Sequence, residues 1–195
     1  MTVLRFIIRV IYRLLFNVKI TGLENIPDDD GSILAPNHIS WLDPVLVVGF
    51  CPKPLKMMAK AELFNNKLYA WFFNLIGAFP IHRGDADITA IKTCLRYLKN
   101  NETVLMFPHG TRIHQGEDIP IKEGAVLIAL KAKKNIIPAY ISGDYKFRKN
   151  VTLTIGKPFA LSPYFEEKLS PSRVKELTKD VWEAMKTLDE GKSVI

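Results

Sequence analysis

The sequence predicts an α/β layer fold. Short apolar segments alternate with stretches of helical periodicity along the chain, and 48% of the 195 residues are hydrophobic, enough for a sizeable core. Polar motifs containing glycine or proline follow several apolar segments, where the loops of a layered sheet carry function.

The elements follow in order from pattern and punctuation. Residues 18–21 and 32–35 read as strands, 41–50 as a helix and 55–59 as a strand. Residues 63–76 are apolar and aromatic, consistent with a helix, and 78–81 are short and extended. In 87–99, Ile88, Ile91, Leu95 and Leu98 recur at helical spacing. Residues 103–107 read as a strong strand, and 125–134 as a helix ending in the lysines of KAKK, which suit its dipole. Residues 136–141 and 151–155 read as strands. Ser170 and Pro171 open the last helix as cap and first turn, with Val174, Leu177, Val181, Met185 and Leu188 on its buried face. KAKK could also dock an acidic or phosphorylated partner. The aromatic stretch at 68–79 reads as a core helix, with the wall of an apolar tunnel or a membrane contact as the alternative.

The length favours one folded domain, residues 19–195, preceded by an amphipathic segment, residues 1–18. Arg5, Arg9 and Arg13 interrupt the apolar run of that segment, which is too broken for a membrane span and lacks a cleavage site. At about 100° per residue, the arginines form one stripe, opposite Leu4, Ile7, Ile8, Ile11, Leu15 and Val18. That pattern predicts a helix in a membrane interface, with a cationic edge toward anionic phospholipid and salt-sensitive binding. The alternative is a helix packed on the domain, arginines outward.

The net charge of +7 suits anionic partners: an anionic membrane, phosphorylated substrates or nucleic acid. No nucleic-acid motif appears and the charge is not concentrated in a recognition helix, so no nucleic-acid partner is expected. Cys51 and Cys94 lack metal-ligand spacing and point to a reducing compartment. His38, His82, His109 and His114 show no helix-face ligand spacing, and no metal is expected.

The chemistry concentrates in NHISWLDP, residues 37–44, just after the strand SILAP. Ser40 to Asp43 fits a capping box, and Pro44 is harmless in a first helical turn. A tight turn at Ile39 and Ser40 would instead fold His38 back to Asp43, whose carboxylate would hold one ring nitrogen and leave the other as a general base. The substrate would then supply the nucleophile. Downstream, FPIHRGD carries Arg83, MFPHGTR carries His109, Gly110, Thr111 and Arg112, and PIKEGA carries Lys122 before a helix. Three basic loops with glycine neighbours at one sheet edge would make a phosphate pocket.

From about residue 22 to 156, these motifs resemble those of the glycerolipid acyltransferases of the lysophosphatidate acyltransferase, PlsC-like type. NHISWLD resembles the family's first motif, N-H-x4-D. GAFPIHRGD resembles the second and FPHGTR the third, usually F-P-E-G-T-R. IIPAYISG, with Pro138, resembles the fourth. The resemblance implies a mixed central sheet flanked by helices, and acyl transfer from acyl-CoA or acyl carrier protein to the hydroxyl of lysophosphatidate, giving phosphatidate. It implies His38 as general base and Asp43 as its orienter. Arg83 and Arg112 would hold the acceptor phosphate in a pocket shaped by Gly110 and Thr111, with Lys122 a further contact. It implies no organic cofactor, and work at the cytoplasmic face of the cell membrane as a peripheral protein. His109 stands where the family has glutamate. A protonated imidazole there would attract phosphate but repel Arg112, which bears on the acceptor and on turnover. The alternative reading is a lipid-binding or scaffold protein that kept the pocket and lost catalysis, or an acyltransferase using another lysolipid.

Overall fold

The structure, a computed structural model, describes residues 2–81, 87–114, 117 and 119–189. Its centre is a seven-stranded sheet. The strands are β1 (Asn17–Thr21), β2 (Ile33–Pro36), β3 (Leu55–Lys60), β4 (Ala78–Ile81), β5 (Thr103–Leu105), β6 (Ile136–Gly143) and β7 (Asn150–Ile155). They lie in the order β1-β7-β6-β2-β5-β3-β4. All neighbours are parallel except β6 and β7, which form an antiparallel hairpin. The sheet is therefore mixed, and β6, β2, β5, β3 and β4 all end on one edge.

Among the described residues, six α-helices cover the sheet: α1 (Thr2–Leu15), α2 (Asp43–Phe50), α3 (Lys67–Leu75), α4 (Ile88–Lys99), α5 (Gly124–Ala132) and α6 (Pro171–Lys186). Alternation along the strands sends successive side chains to opposite layers. Leu34 and Leu105 join Ile8, Leu46, Val47 and Phe50 of α1 and α2. Ile33 and Val104 join Leu98, Val126, Val174 and Leu177 of α4, α5 and α6. The last helix begins as the sequence indicates, with the Ser170 hydroxyl accepting from the Arg173 N–H and Pro171 in the first turn.

Several elements differ from the sequence reading for local reasons. The expected helix over 63–76 is broken, because Asn66 takes an extended conformation and its side chain caps the N–H groups of Leu68 and Tyr69. The resulting α3 has no buried residue, and Leu68, Tyr69 and Trp71 are exposed, so it is not the expected core helix. The strand expected at 103–107 stops at Leu105, and α2 starts at Asp43 after a turn at residues 41–42. The KAKK lysines mark a helix end: Lys133, in a left-handed conformation, pairs with Glu166, and Lys134 pairs with Asp30 and Asn101.

The largest correction concerns α1. Two of its three arginines turn inward, and only Arg13 is exposed. Arg5 is buried and donates to the Pro52 carbonyl at 3.2 Å, and Arg9 donates to the Gly49 carbonyl at 2.7 Å. Arg13 lies over the Phe50 ring at 5.7 Å. These acceptors sit at or just past the C-terminal end of α2, where the helix dipole and the free carbonyls favour cations. Burial pushes the Arg5 guanidinium below its usual value. Ile8, Tyr12 and Phe16 complete the inward face, while Val3, Phe6, Ile7, Val10, Ile11 and Leu14 are 41–73% exposed. The outward face of α1 is thus apolar. Among the described residues, no helix is long and apolar enough to cross a membrane.

The close seating of α1 on α2 depends on Gly49, where a Cβ would run into the Cγ2 methyl of Ile8. Alanine would ordinarily favour a helix over glycine by about 1 kcal/mol. Here the stiff β-branched neighbour cannot give way cheaply, and overpacking of this kind costs about 1–3 kcal/mol. Gly49→Ala is expected to lower the thermal unfolding midpoint by several degrees, read by circular dichroism. Gly124→Ala, whose Cβ meets nothing within 4 Å, serves as the neutral control.

Candidate active site

The sheet edge at the ends of β2, β5 and β6 carries the candidate site. β2 finishes at Pro36, and the Asn37 side chain then extends its pairing. The Asn37 amide donates to the Ile141 carbonyl at 2.9 Å and accepts from the Ile141 N–H at 2.6 Å. This side chain stands in for a backbone rung, fixes where the chain leaves the sheet, and aims the next residue, His38, over the edge.

Asp43 opens α2 and is fully buried. Its Oδ2 accepts from His38 Nδ1 at 2.8 Å, from the Ile39 N–H at 2.6 Å and from the Ser40 N–H at 2.7 Å. Its Oδ1 accepts from the Tyr145 hydroxyl at 2.7 Å. The carboxylate therefore does two jobs that the sequence presented as alternatives. It bonds back to the Ser40 N–H as the acid of a capping box does, and it also holds the imidazole. Ser40 is not the helix cap itself: its hydroxyl accepts from the Leu42 N–H at 3.2 Å, ahead of the helix.

With Nδ1 donating to Asp43, the neutral form of the His38 ring presents Nε2 as its acceptor nitrogen. The ring stacks on Phe107 with centroids 4.2 Å apart, and the side chain is 14% exposed. One nitrogen is thus tied to an acid, and the ring plane is held against an aromatic wall. This is the tautomer and restraint that a general base requires.

Phe107 begins the loop after β5, and the same loop brings the anion-binding candidates alongside. The Ile113 N–H donates to the His38 carbonyl at 2.8 Å, and the Lys122 N–H donates to the Pro108 carbonyl at 2.9 Å. Gly110 turns with φ of 73°, a left-handed conformation that favours glycine, and the Lys122 ammonium lies 3.2 Å from where its Cβ would be. Thr111 and Arg112 are exposed, and the Arg112 guanidinium lies 4.2 Å over the Trp41 ring. Stacking leaves the in-plane N–H donors of Arg112 available to an anion. Arg83 lies outside the described residues.

His109 stands apart from this exposed group. It is 2% exposed, its ring meets Trp182 of α6 edge-on at 4.9 Å, and neither ring nitrogen has a hydrogen-bond partner. Burial, helped by the nearby His38, pushes its pKa below the ordinary 6.5, against a smaller upward pull from the Ile119 backbone. The protonated imidazole considered from sequence is therefore disfavoured. The His109 ring is buried against Trp182 of α6, whereas Arg112 is exposed.

Three contacts at this edge escape a sequence reading: Asn37 with Ile141, Trp41 with Arg112, and Tyr145 with Asp43. The first and last join residues 104 and 102 positions apart. Asn37 and Trp41 carried a signal only as members of the NHISWLDP stretch, which did not reveal their partners.

A family profile described as Acyltransferase matches residues 17–142. The chain is 37% identical over 188 residues to the 1-acyl-sn-glycerol-3-phosphate acyltransferase of Bacillus subtilis, across 93% of each chain. It is 32% identical over 182 residues to the protein of the same name from Streptococcus pneumoniae, across 89% of this chain and 67% of that one. Among solved structures, that of PlsC, the 1-acyl-sn-glycerophosphate (LPA) acyltransferase of Thermotoga maritima, is similar with a TM-score of 0.78 at 25% identity. That similarity covers 100% of this chain and 80% of that one.

The burial of His109 has a consequence for stability. Its folded-state pKa lies below the unfolded value near 6.5, so in that range the unfolded chain binds a proton that the folded protein refuses. Its contribution to stability is full above pH 6.5 and is lost as pH falls through the depressed value. The unfolding midpoint should drop between pH 7.5 and 5.5, and His109→Gln should flatten that part of the profile, as measured by calorimetry.

Proposed function

The chain belongs to the acyltransferase family, and on that premise we propose that it acylates 1-acyl-glycerol-3-phosphate from a thioester donor, acyl-CoA or acyl carrier protein, giving phosphatidate. The observation that carries this reading is the His38–Asp43 pair, with Nδ1 held at 2.8 Å and the other nitrogen left as a base. Nε2 takes the proton of the acceptor's free hydroxyl as that oxygen attacks the thioester carbonyl. A C–O bond forms, the tetrahedral intermediate collapses, the C–S bond breaks, and the imidazolium returns its proton to the thiolate. Asp43 stabilises the imidazolium in between. Nucleophile and leaving group both come from the substrates, so no covalent enzyme intermediate and no cofactor are required.

The acceptor phosphate is assigned to the loop after β5 and to Arg83. Arg112, on its Trp41 platform, presents a planar fork for two phosphate oxygens. Gly110 lets the backbone approach, Thr111 adds a hydroxyl, and the Lys122 ammonium lies beside them. His109 supports this loop from below, with Trp182 behind it.

The protein works at a lipid surface, on the cytoplasmic face, as a peripheral protein. What supports this is the apolar outward face of α1, together with the exposed Leu68, Tyr69 and Trp71 of α3. The free Cys51 and Cys94 fit a reducing compartment. Because Arg5 and Arg9 are engaged with carbonyl groups of the chain itself, attachment rests on burial of apolar side chains, each worth about 1.5–3 kcal/mol, more than on charge.

Two outcomes test these assignments. His38→Ala should lower acyl transfer by at least about 10²-fold while leaving lysophosphatidate binding nearly intact; turnover equal to the parent's would remove the mechanism. Phe6→Glu combined with Val10→Glu should abolish sedimentation with phospholipid vesicles, whereas raising salt to about 1 M, where charges more than about 3 Å apart are screened, should leave the parent bound. Release of the parent by salt would return the membrane contact to the cationic surface.

A further inference from the structure

The two oxygens of Asp43 are served unequally. Oδ2 takes three donors from its own neighbourhood: the His38 ring and the Ile39 and Ser40 N–H groups. Oδ1 takes the Tyr145 hydroxyl, which reaches it from beyond β6. Local donors on a single oxygen leave the carboxylate free to turn about that oxygen, and each turn tilts the lone pair that faces His38. A second anchor on the other oxygen removes that freedom. Asp43 is completely shielded from solvent, so bulk water is a poor substitute.

Tyr145 is equipped to be that anchor. Burial and the charge of Asp43 push its phenol far above the ordinary range, so it stays protonated and donates. Its ring meets Phe16, just past the end of α1, edge-on at 5.5 Å. The loop that carries it is tied to the same place, with the Arg148 N–H donating to the Leu15 carbonyl and the Asn17 N–H to the Lys149 carbonyl. Tyr12 of α1 donates to the Leu42 carbonyl, one residue before Asp43, at 2.8 Å.

We propose that Tyr145 is a positioning residue for acyl transfer, which fixes the plane of the Asp43 carboxylate and through it the tautomer and aim of His38. It rests on the reading of His38 as the base. The α1 helix, which braces Tyr145 through Phe16, is then part of the catalytic frame as well as a surface contact.

The test is Tyr145→Phe in the full-length protein, assayed in detergent–phospholipid mixed micelles with varied lysophosphatidate and varied acyl-CoA. The variant keeps the ring and loses only the hydroxyl. The expected result is kcat lowered about tenfold, the scale of one lost hydrogen bond to a charged group, with both KM values within about twofold of the parent's. The low-field proton resonance of His38 Nδ1–H, assigned by its loss in His38→Ala, should move upfield or broaden. A kcat within twofold of the parent's overturns the proposal, as does a lowered kcat with an unaltered His38 resonance. Phe16→Leu, which keeps the hydroxyl but loosens its brace, should give the same changes in smaller degree. It decides the matter if Tyr145→Phe fails to fold: an unchanged kcat and resonance there overturn the assignment. Full activity in His38→Ala would fail the reading of the base itself, a result distinct from any seen with the tyrosine variants.

Discussion

A carboxylate with no exposure to water sits at the centre of this molecule. Burying such a group is costly unless hydrogen bonds replace its solvation, and Asp43 has four: two backbone N–H groups, an imidazole and a phenol. Each donor belongs to an element whose place is thereby constrained. The backbone donors define the turn between β2 and α2, and the imidazole is the group proposed as the base, just past the end of β2. The phenol ties the end of β6 to the start of α2. The proposed base and the junction of these elements share one acceptor, so the geometry of His38 cannot be changed without disturbing the fold around it.

The same economy explains α1. A helix with three arginines and an apolar arc reads naturally as a charged edge facing lipid headgroups. The protein instead offers those arginines the carbonyl groups at the end of α2 and just beyond, at Gly49 and Pro52, together with the Phe50 ring. Hydropathy reports that a helix has two kinds of side; it does not report which side the rest of the chain can satisfy. With Arg5 and Arg9 occupied internally, the side left to the outside is mainly the greasy one, and the proposed contact with a bilayer becomes a matter of apolar area more than of field.

Much of the frame was legible because it is written locally. Strand and helix patterns placed every strand of the sheet, and the Ser170–Pro171 start of α6 was visible from residue types alone. The His38–Asp43 pair was legible for the same reason, since five residues and one tight turn separate the partners. What the sequence concealed is non-local or competitive. Tyr145 and Asn37 work on partners about a hundred positions away, and no periodicity encodes such contacts. Asn66, in a polar break of the apolar pattern, caps a new helix there. His109 looked like a pocket residue because it lies in a loop motif, yet its side chain turns under the loop toward Trp182.

The register of β1 has a bearing on how the chain is put together. Its partner is β7, with Asn17 opposite Asn150 and Thr21 opposite Thr154. During synthesis at ~5–20 residues per second, on the order of ten seconds pass between the two strands. Through that interval the strand joined to α1 has no rung to join, and the helix ahead of it has only the α2 surface to cover its inward side. Strand β1 is thus made long before it is locked, and α1 with its oily outward side emerges well before the sheet that will hold it is finished.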